Sequence, residues 1–132
     1  MTVRVLVVDD EPDVETLFRQ QFRREVRQEL YTLDFALSGK VALEVLDGHV
    51  GEQIILLVSD INMPGMTGLE LLPVVKQRRP DLPVFMISAY GDKDTAAVAL
   101  QRGADKFPTK PVDFVRLKQD IMAVIAEAEG AP

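Results

Sequence analysis

Two acidic positions in this chain fall where an apolar run stops, which is where a working carboxylate is expected. Residues 54 to 58, Ile-Ile-Leu-Leu-Val, are apolar at every position. That is the pattern of a strand buried on both faces, as in the interior of a parallel sheet. The run closes on Ser59 and Asp60 and gives way to loop residues that include Asn62, Pro64 and Gly65. At the C-terminal end of a strand in an open α/β sheet, a carboxylate faces the crevice where ligands bind; one turn deeper it would be buried without compensation. Asp60 is therefore the leading candidate for chemistry. A second stretch of the same form, residues 3 to 8 followed by Asp9 and Asp10, also runs apolar into acid.

The rest of the composition removes other chemistries. With no Cys there is no disulfide framework, thiolate metal site or thiol nucleophile, and the lone His49 argues against a Ser-His-Asp triad or a histidine-rich metal centre. The 132 residues, 47% hydrophobic, describe one compact domain with a sizeable core. No apolar stretch approaches the ~18 residues of a membrane span, and Met-Thr-Val-Arg enters a strand without the regions of a signal peptide, so a cytoplasmic protein with no membrane partner is expected. The net charge of −6 argues against this domain gripping nucleic acid through phosphate contacts.

The elements that must position these acids alternate between strand and helix patterns. After the first strand, Pro12 suits the first turn of a helix with Val14, Leu17, Phe18, Phe22 and Val26 on one face; Arg19, Arg23, Arg24 and Arg27 lie on its solvated side. Tyr31, Leu33, Phe35 and Leu37 alternate as an edge strand, and Ser38 caps a second helix. His49 falls in the exposed turn before the strand at 54. Thr67 and Glu70 form a capping box for a third helix, in which Pro73 predicts a kink or a shifted start. Residues 84 to 87 are a further apolar strand ending at Ser88. Asp92 or Asp94 caps a fourth helix that stops at Gly103. Residues 106 to 108 are a short fifth strand, confined to an edge by Pro108, and Lys110 and Pro111 close it. Asp113 caps the last helix. Five strand-helix repeats with right-handed crossovers give a parallel sheet covered on both sides, with Asp9, Asp10, Asp60, Ser88 and Lys110 gathered on one rim.

That constellation resembles the receiver domain of two-component response regulators: Asp9-Asp10, then Asp60 with Asn62, Pro64 and Gly65, then Ser88-Ala89, then Phe107 with Lys110-Pro111. The resemblance spans nearly the whole chain, taken as a receiver domain over 1–129 with 130–132 as a tail or the start of a linker. It implies a flavodoxin-like doubly wound single domain, a five-stranded parallel sheet in the order 2-1-3-4-5 with five helices. It also implies that Asp60 accepts a phosphoryl group from the phosphohistidine of a sensor histidine kinase or phosphotransfer protein. The domain would then be a signalling phosphoacceptor rather than an enzyme. Carboxylates ~4 Å apart at an effective dielectric of ~20 repel by about 4 kcal/mol per pair before screening, and Mg²⁺ is the hard cation that relieves this.

By resemblance, Asp10, Asp60 and the Asn62 backbone carbonyl would be direct Mg²⁺ ligands, with Asp9 acting through water. Lys110, the Ser88 hydroxyl and the Ala89 backbone amide would hold the phosphoryl oxygens. A cis Lys110–Pro111 bond would aim the ammonium at Asp60. Ser88 and Phe107 would switch the surface around the fourth helix, fifth strand and fifth helix, to act on a downstream effector or a homodimer partner. Phe107 replaces the more usual Tyr, and Asn62 and Tyr90 occupy positions that tune phosphoryl hydrolysis. The alternative within this family is a degenerate receiver serving as a phosphorylation-independent interaction module. A haloacid dehalogenase type phosphatase would need an Asp-x-Asp element and a cap domain, where this chain has Asp60-Ile61-Asn62 and no room for a cap.

Overall fold

The computed structural model describes residues 3–88 and 93–128. Four parallel strands, β1 (Arg4–Val8), β2 (Thr32–Ala36), β3 (Ile54–Asp60) and β4 (Val84–Ile87), pair in the order β2-β1-β3-β4. The helices are α1 (Pro12–Gln21), α2 (Arg23–Arg27), α3 (Gly39–Asp47), α4 (Gly68–Arg78), α5 (Lys93–Gln101) and α6 (Phe114–Ala128), with a 3₁₀ turn at Gly51–Gln53.

Although β1 and β3 are apolar almost throughout, their residues divide between two cores. Leu6, Val8 and Leu57 pack with Ala42, Leu71 and Ala99 on the α3, α4 and α5 side. Val5, Val7, Leu56 and Val58 pack with Phe18, Phe22, Leu117 and Ile121 on the α1 and α6 side. Burial on both faces is what a continuous apolar run requires of its surroundings. The register slips between Arg4 and Val5, which face Ile54 and Leu56, so Ile55 is an extra residue. This bulge lets Ile54 and Leu57, three apart, share one core.

Two expectations about element count are corrected. The first helix divides into α1 and α2 at Phe22 (φ −104°, ψ 11°), giving six helices among the described residues rather than five. Hydrogen bonds from Phe22 N–H to the Phe18 carbonyl (2.9 Å) and from Val26 N–H to the Phe22 carbonyl (3.0 Å) still span the break. Of the expected apolar face, Phe18 and Phe22 are buried while Leu17 and Val26 are exposed.

The fifth strand is reduced to two isolated bridges, Phe85 of β4 with Lys106 and Ser88, just past β4, with Thr109, so the sheet has four strands. Met86 N–H reaches the Lys106 carbonyl and Ser88 N–H the Pro108 carbonyl, both at 3.0 Å, and Lys110 N–H returns to the Ser88 carbonyl at 2.9 Å. The bond missing from an otherwise parallel ladder is the one residue 108 would donate to Met86, and proline has no N–H to give.

The other local signals hold. Ser38 Oγ accepts from Val41 N–H at 3.2 Å, and Thr67 and Glu70 exchange both capping-box bonds, at 3.1 and 3.2 Å. That charge-stabilised contact holds the Glu70 carboxyl below its ordinary range. α4 starts at its expected cap and continues through Pro73 without a shifted start. Gly103, at φ +104°, follows the end of α5, where a left-handed residue closes the helix. Asp113 Oδ1 accepts from Arg116 N–H at the start of α6. Asp94 lies inside α5 rather than capping it, and Asp92 falls outside the described residues.

Candidate functional site

Each strand delivers its side chain by register. Val8 pairs with Ser59, so Asp9 stands beside Asp60; Asp60 pairs with Ile87, so Ser88 lies one residue beyond Asp60's neighbour. Carboxylate oxygens of Asp9, Asp10 and Asp60 lie within 4.8 Å of one another, an arrangement able to hold a metal ion.

Asp60 is buried, and its Oδ1 lies 3.3 Å from Lys110 Nζ, whose side chain is 47% exposed against 5% for Asp60. That is an ion pair without hydrogen-bond alignment: Asp60 Oδ1 and Ser88 Oγ are both buried and lack a hydrogen bond among the described residues. Two unsatisfied buried oxygens in one rim are costly unless something binds there. The Lys110–Pro111 peptide is cis, as expected.

The backbone under Asp60 is tightly fixed. Ser59 Oγ donates to the Asp60 carbonyl at 2.9 Å, and Ile61 N–H reaches the Ile87 carbonyl at 3.1 Å. Gly68, the first residue of α4, sits so close that a Cβ there would lie 2.4 Å from the Asp60 carbonyl oxygen and 2.8 Å from Ile61 Cα. Gly65, at φ +75°, makes the turn in the intervening loop. Neither Ser59 nor Gly68 is picked out by residue type alone. Their positions beside Asp60 were the available signal.

Asp9 is half-buried; its amide donates to the Ala36 carbonyl and its Oδ1 accepts from Glu11 N–H at 3.0 Å. Burial raises its pKa above the ordinary 3.8, the Glu11 amide opposes this, and the charge of Asp60 adds to the rise. The carboxylates thus repel, and a bound cation would reverse that cost. Asn62 is exposed in the loop after β3. Phe107 is half-buried against the α3, α4 and α5 core, at the side of a depression of about 400 Å³ between the 106–110 segment and α6. Ala89 and Tyr90 lie outside the described residues.

A parallel sheet wound on both sides, with an acidic cluster at its C-terminal rim and a lysine from the edge segment beside it, defines a flavodoxin-like α/β domain. The chain belongs to the response regulator receiver domain family, whose model it matches over residues 5–122. It is 40% identical over 133 residues to the response regulator protein PilR of Pseudomonas aeruginosa, covering 98% of this chain and 28% of that protein. It is 49% identical over 71 residues to the DNA-binding transcriptional regulator NtrC of Klebsiella pneumoniae, 54% of this chain and 15% of that one.

Among solved structures, the receiver domain of NtrX from Brucella abortus superposes with a TM-score of 0.78 at 33% identity, covering 91% of this chain and 96% of that one. A CheY-like receiver domain protein from Methanospirillum hungatei superposes at 0.85 with 26% identity over the full length of both. The chain therefore spans under a third of the PilR relative. It is a receiver domain of the two-component kind. Among the described residues no helix is long and apolar enough to cross a membrane.

Proposed function

We propose that this receiver works by phosphorylation of Asp60. The observation that carries the reading is the buried Asp60 carboxylate, with Oδ1 free of hydrogen bonds, set among Asp9, Asp10 and Lys110. An Asp60 carboxylate oxygen attacks the phosphorus of a phosphohistidine on a sensor kinase or phosphotransfer protein. The P–N bond breaks, the imidazole leaves with its electron pair and takes up a proton, and an acyl phosphate forms on Asp60. The Lys110 ammonium and the Ser88 hydroxyl hold phosphoryl oxygens as charge builds on them, with the Ala89 amide as a further donor.

Asp9, Asp10, Asp60 and the Asn62 carbonyl would hold Mg²⁺, which when bound neutralises charge gathered among the carboxylates and on the phosphoryl oxygens. The oxygen-only donor set fits that hard cation. Engagement of Ser88 by the phosphoryl group frees space for Phe107, and the surface formed by α5, the 106–110 segment and α6 changes. That surface would address an effector within a longer protein, a separate partner, or a second receiver. The domain acts as a phosphoacceptor in the cytoplasm rather than as an enzyme with its own substrate.

Incubation with Mg²⁺ and acetyl phosphate should add one phosphoryl group by intact mass, and Asp60→Asn should not gain it. Equal phosphorylation of Asp60→Asn would remove the assignment.

A further inference from the structure

The acidic rim does not exhaust the charged surface of this chain. Arg23, Arg24, Arg27 and Lys118 line a depression of about 540 Å³ between the α1–α2 corner and α6, flanked by Gln21 and Gln28. The three arginines are exposed and have no ion-pair partner among the described residues. Lys118 is already engaged, its Nζ 3.3 Å from Glu25 Oε2 and 5.5 Å from the centre of the Phe22 ring. Most other basic groups are committed within the fold: Arg4 to Asp34, Arg19 to Glu15, Lys76 to Asp105, Lys106 to Asp120.

We propose that this corner is a docking site for an acidic segment of a partner protein, one presenting about three carboxylates, one for each free arginine. The guanidinium fork donates two parallel hydrogen bonds to a carboxylate, and the neighbouring glutamines can pair with the backbone of an extended segment. Charge selects the class of partner. The chain carries −6 with these three arginines counted and so −9 without them. A nucleic-acid duplex, with one charge per ~1.7 Å over a long axis, would run off this small patch onto acidic surface. A short acidic segment fills the patch and stops.

The site is also remote from Asp60. α1 begins beside the acidic rim and rises 10 residues, ~15 Å at ~1.5 Å per residue, before the corner that carries the patch. A partner held here leaves the rim open, so the inference does not rest on the chemistry proposed for Asp60.

Fluorescence anisotropy with a labelled oligoglutamate peptide tests this, using an oligoglutamine peptide and a labelled DNA duplex as comparisons. Wild type should bind the oligoglutamate and not the oligoglutamine, and added salt should weaken the binding. The triple variant Arg23→Ala/Arg24→Ala/Arg27→Ala should bind about tenfold more weakly, the scale of a few exposed charge pairs lost together, with its melting temperature unchanged. Should the triple variant fail to fold, Arg24→Glu alone must weaken binding in the same direction. Equal binding by variant and wild type, no binding by wild type, or tighter binding of the duplex than of the peptide would overturn the proposal. Phosphorylation by acetyl phosphate serves as a separate readout and should be the same with and without peptide.

Discussion

Arg102 donates from Nη1 to the Leu69 backbone carbonyl at 2.7 Å. That carbonyl would be served by the amide of residue 73 in an uninterrupted helix, and residue 73 is proline. A side chain from just past the end of α5 thus completes the first turn of α4, the turn that abuts the Asp60 backbone through Gly68.

The pairing predicts a non-additive cycle. Arg102→Ala should cost about 1 kcal/mol in urea unfolding, the scale of an exposed charge-assisted hydrogen bond. In a Pro73→Ala background, where an amide can reach Leu69, the cost should fall by half or more. Equal costs in both backgrounds would show that the bond contributes nothing through the Leu69 carbonyl.

Gly68→Ala should disturb the site as well as the fold. Its Cβ would meet backbone at 2.4 and 2.8 Å, which cannot yield as a flexible side chain can. We expect a loss of about 1–3 kcal/mol in unfolding free energy and slower phosphorylation of the folded fraction. A variant with wild-type stability would contradict the close packing of α4 on Asp60.

Asp10→Asn should raise the melting temperature without metal, because it removes one of three mutually repelling carboxylates, and should abolish the stabilisation Mg²⁺ gives wild type. A Mg²⁺-induced shift as large in the variant as in wild type would place the metal elsewhere.

Asp9 supplies a pH dependence. Its pKa is raised in the folded state, chiefly by burial, so the folded protein holds that proton more tightly than the unfolded chain does. Stability carried by protonated Asp9 is present below about pH 3.8 and is lost as pH rises through the higher folded value. In metal-free buffer, Asp9→Asn should therefore be more stable than wild type at neutral pH, with the advantage shrinking toward pH 3.8 and below. Unfolding of the two proteins across this range checks the sign; a constant difference would show that the ionisation of Asp9 is not its source.

The sites where strands end were legible because an apolar run that stops on a polar residue marks both a buried element and its exit. Asp9, Asp10, Asp60 and Ser88 follow from that single rule, Lys110 follows from its place after the short edge segment at 106–108, and Ser38, Thr67 and Asp113 declare their caps by residue type. The break at Phe22 was not legible, since Gln20, Gln21, Arg23 and Arg24 are all good helix formers and the apolar spacing continues past it. The fifth strand is shorter than the sequence implies: Pro108 marks an edge, but the effect of its missing amide depends on which way it faces, and only the register with β4 decides that. In the same way Pro73 announces an unserved carbonyl at Leu69, while the group that answers it lies 33 residues away in Arg102.

The gap at Pro108 also grades the sheet by how readily its parts open. β1 and β3 are paired on both sides, so their amides should exchange with solvent only through the rarest openings. The 106–110 segment is held through Met86 N–H, Ser88 N–H and the Ser88 carbonyl but leaves the Met86 carbonyl unserved, so it should detach at far smaller free energy. Phe107 therefore rides on the part of the sheet that can rearrange while the rest stays closed. A change at the rim could then reach the surface through local opening, leaving the two cores packed.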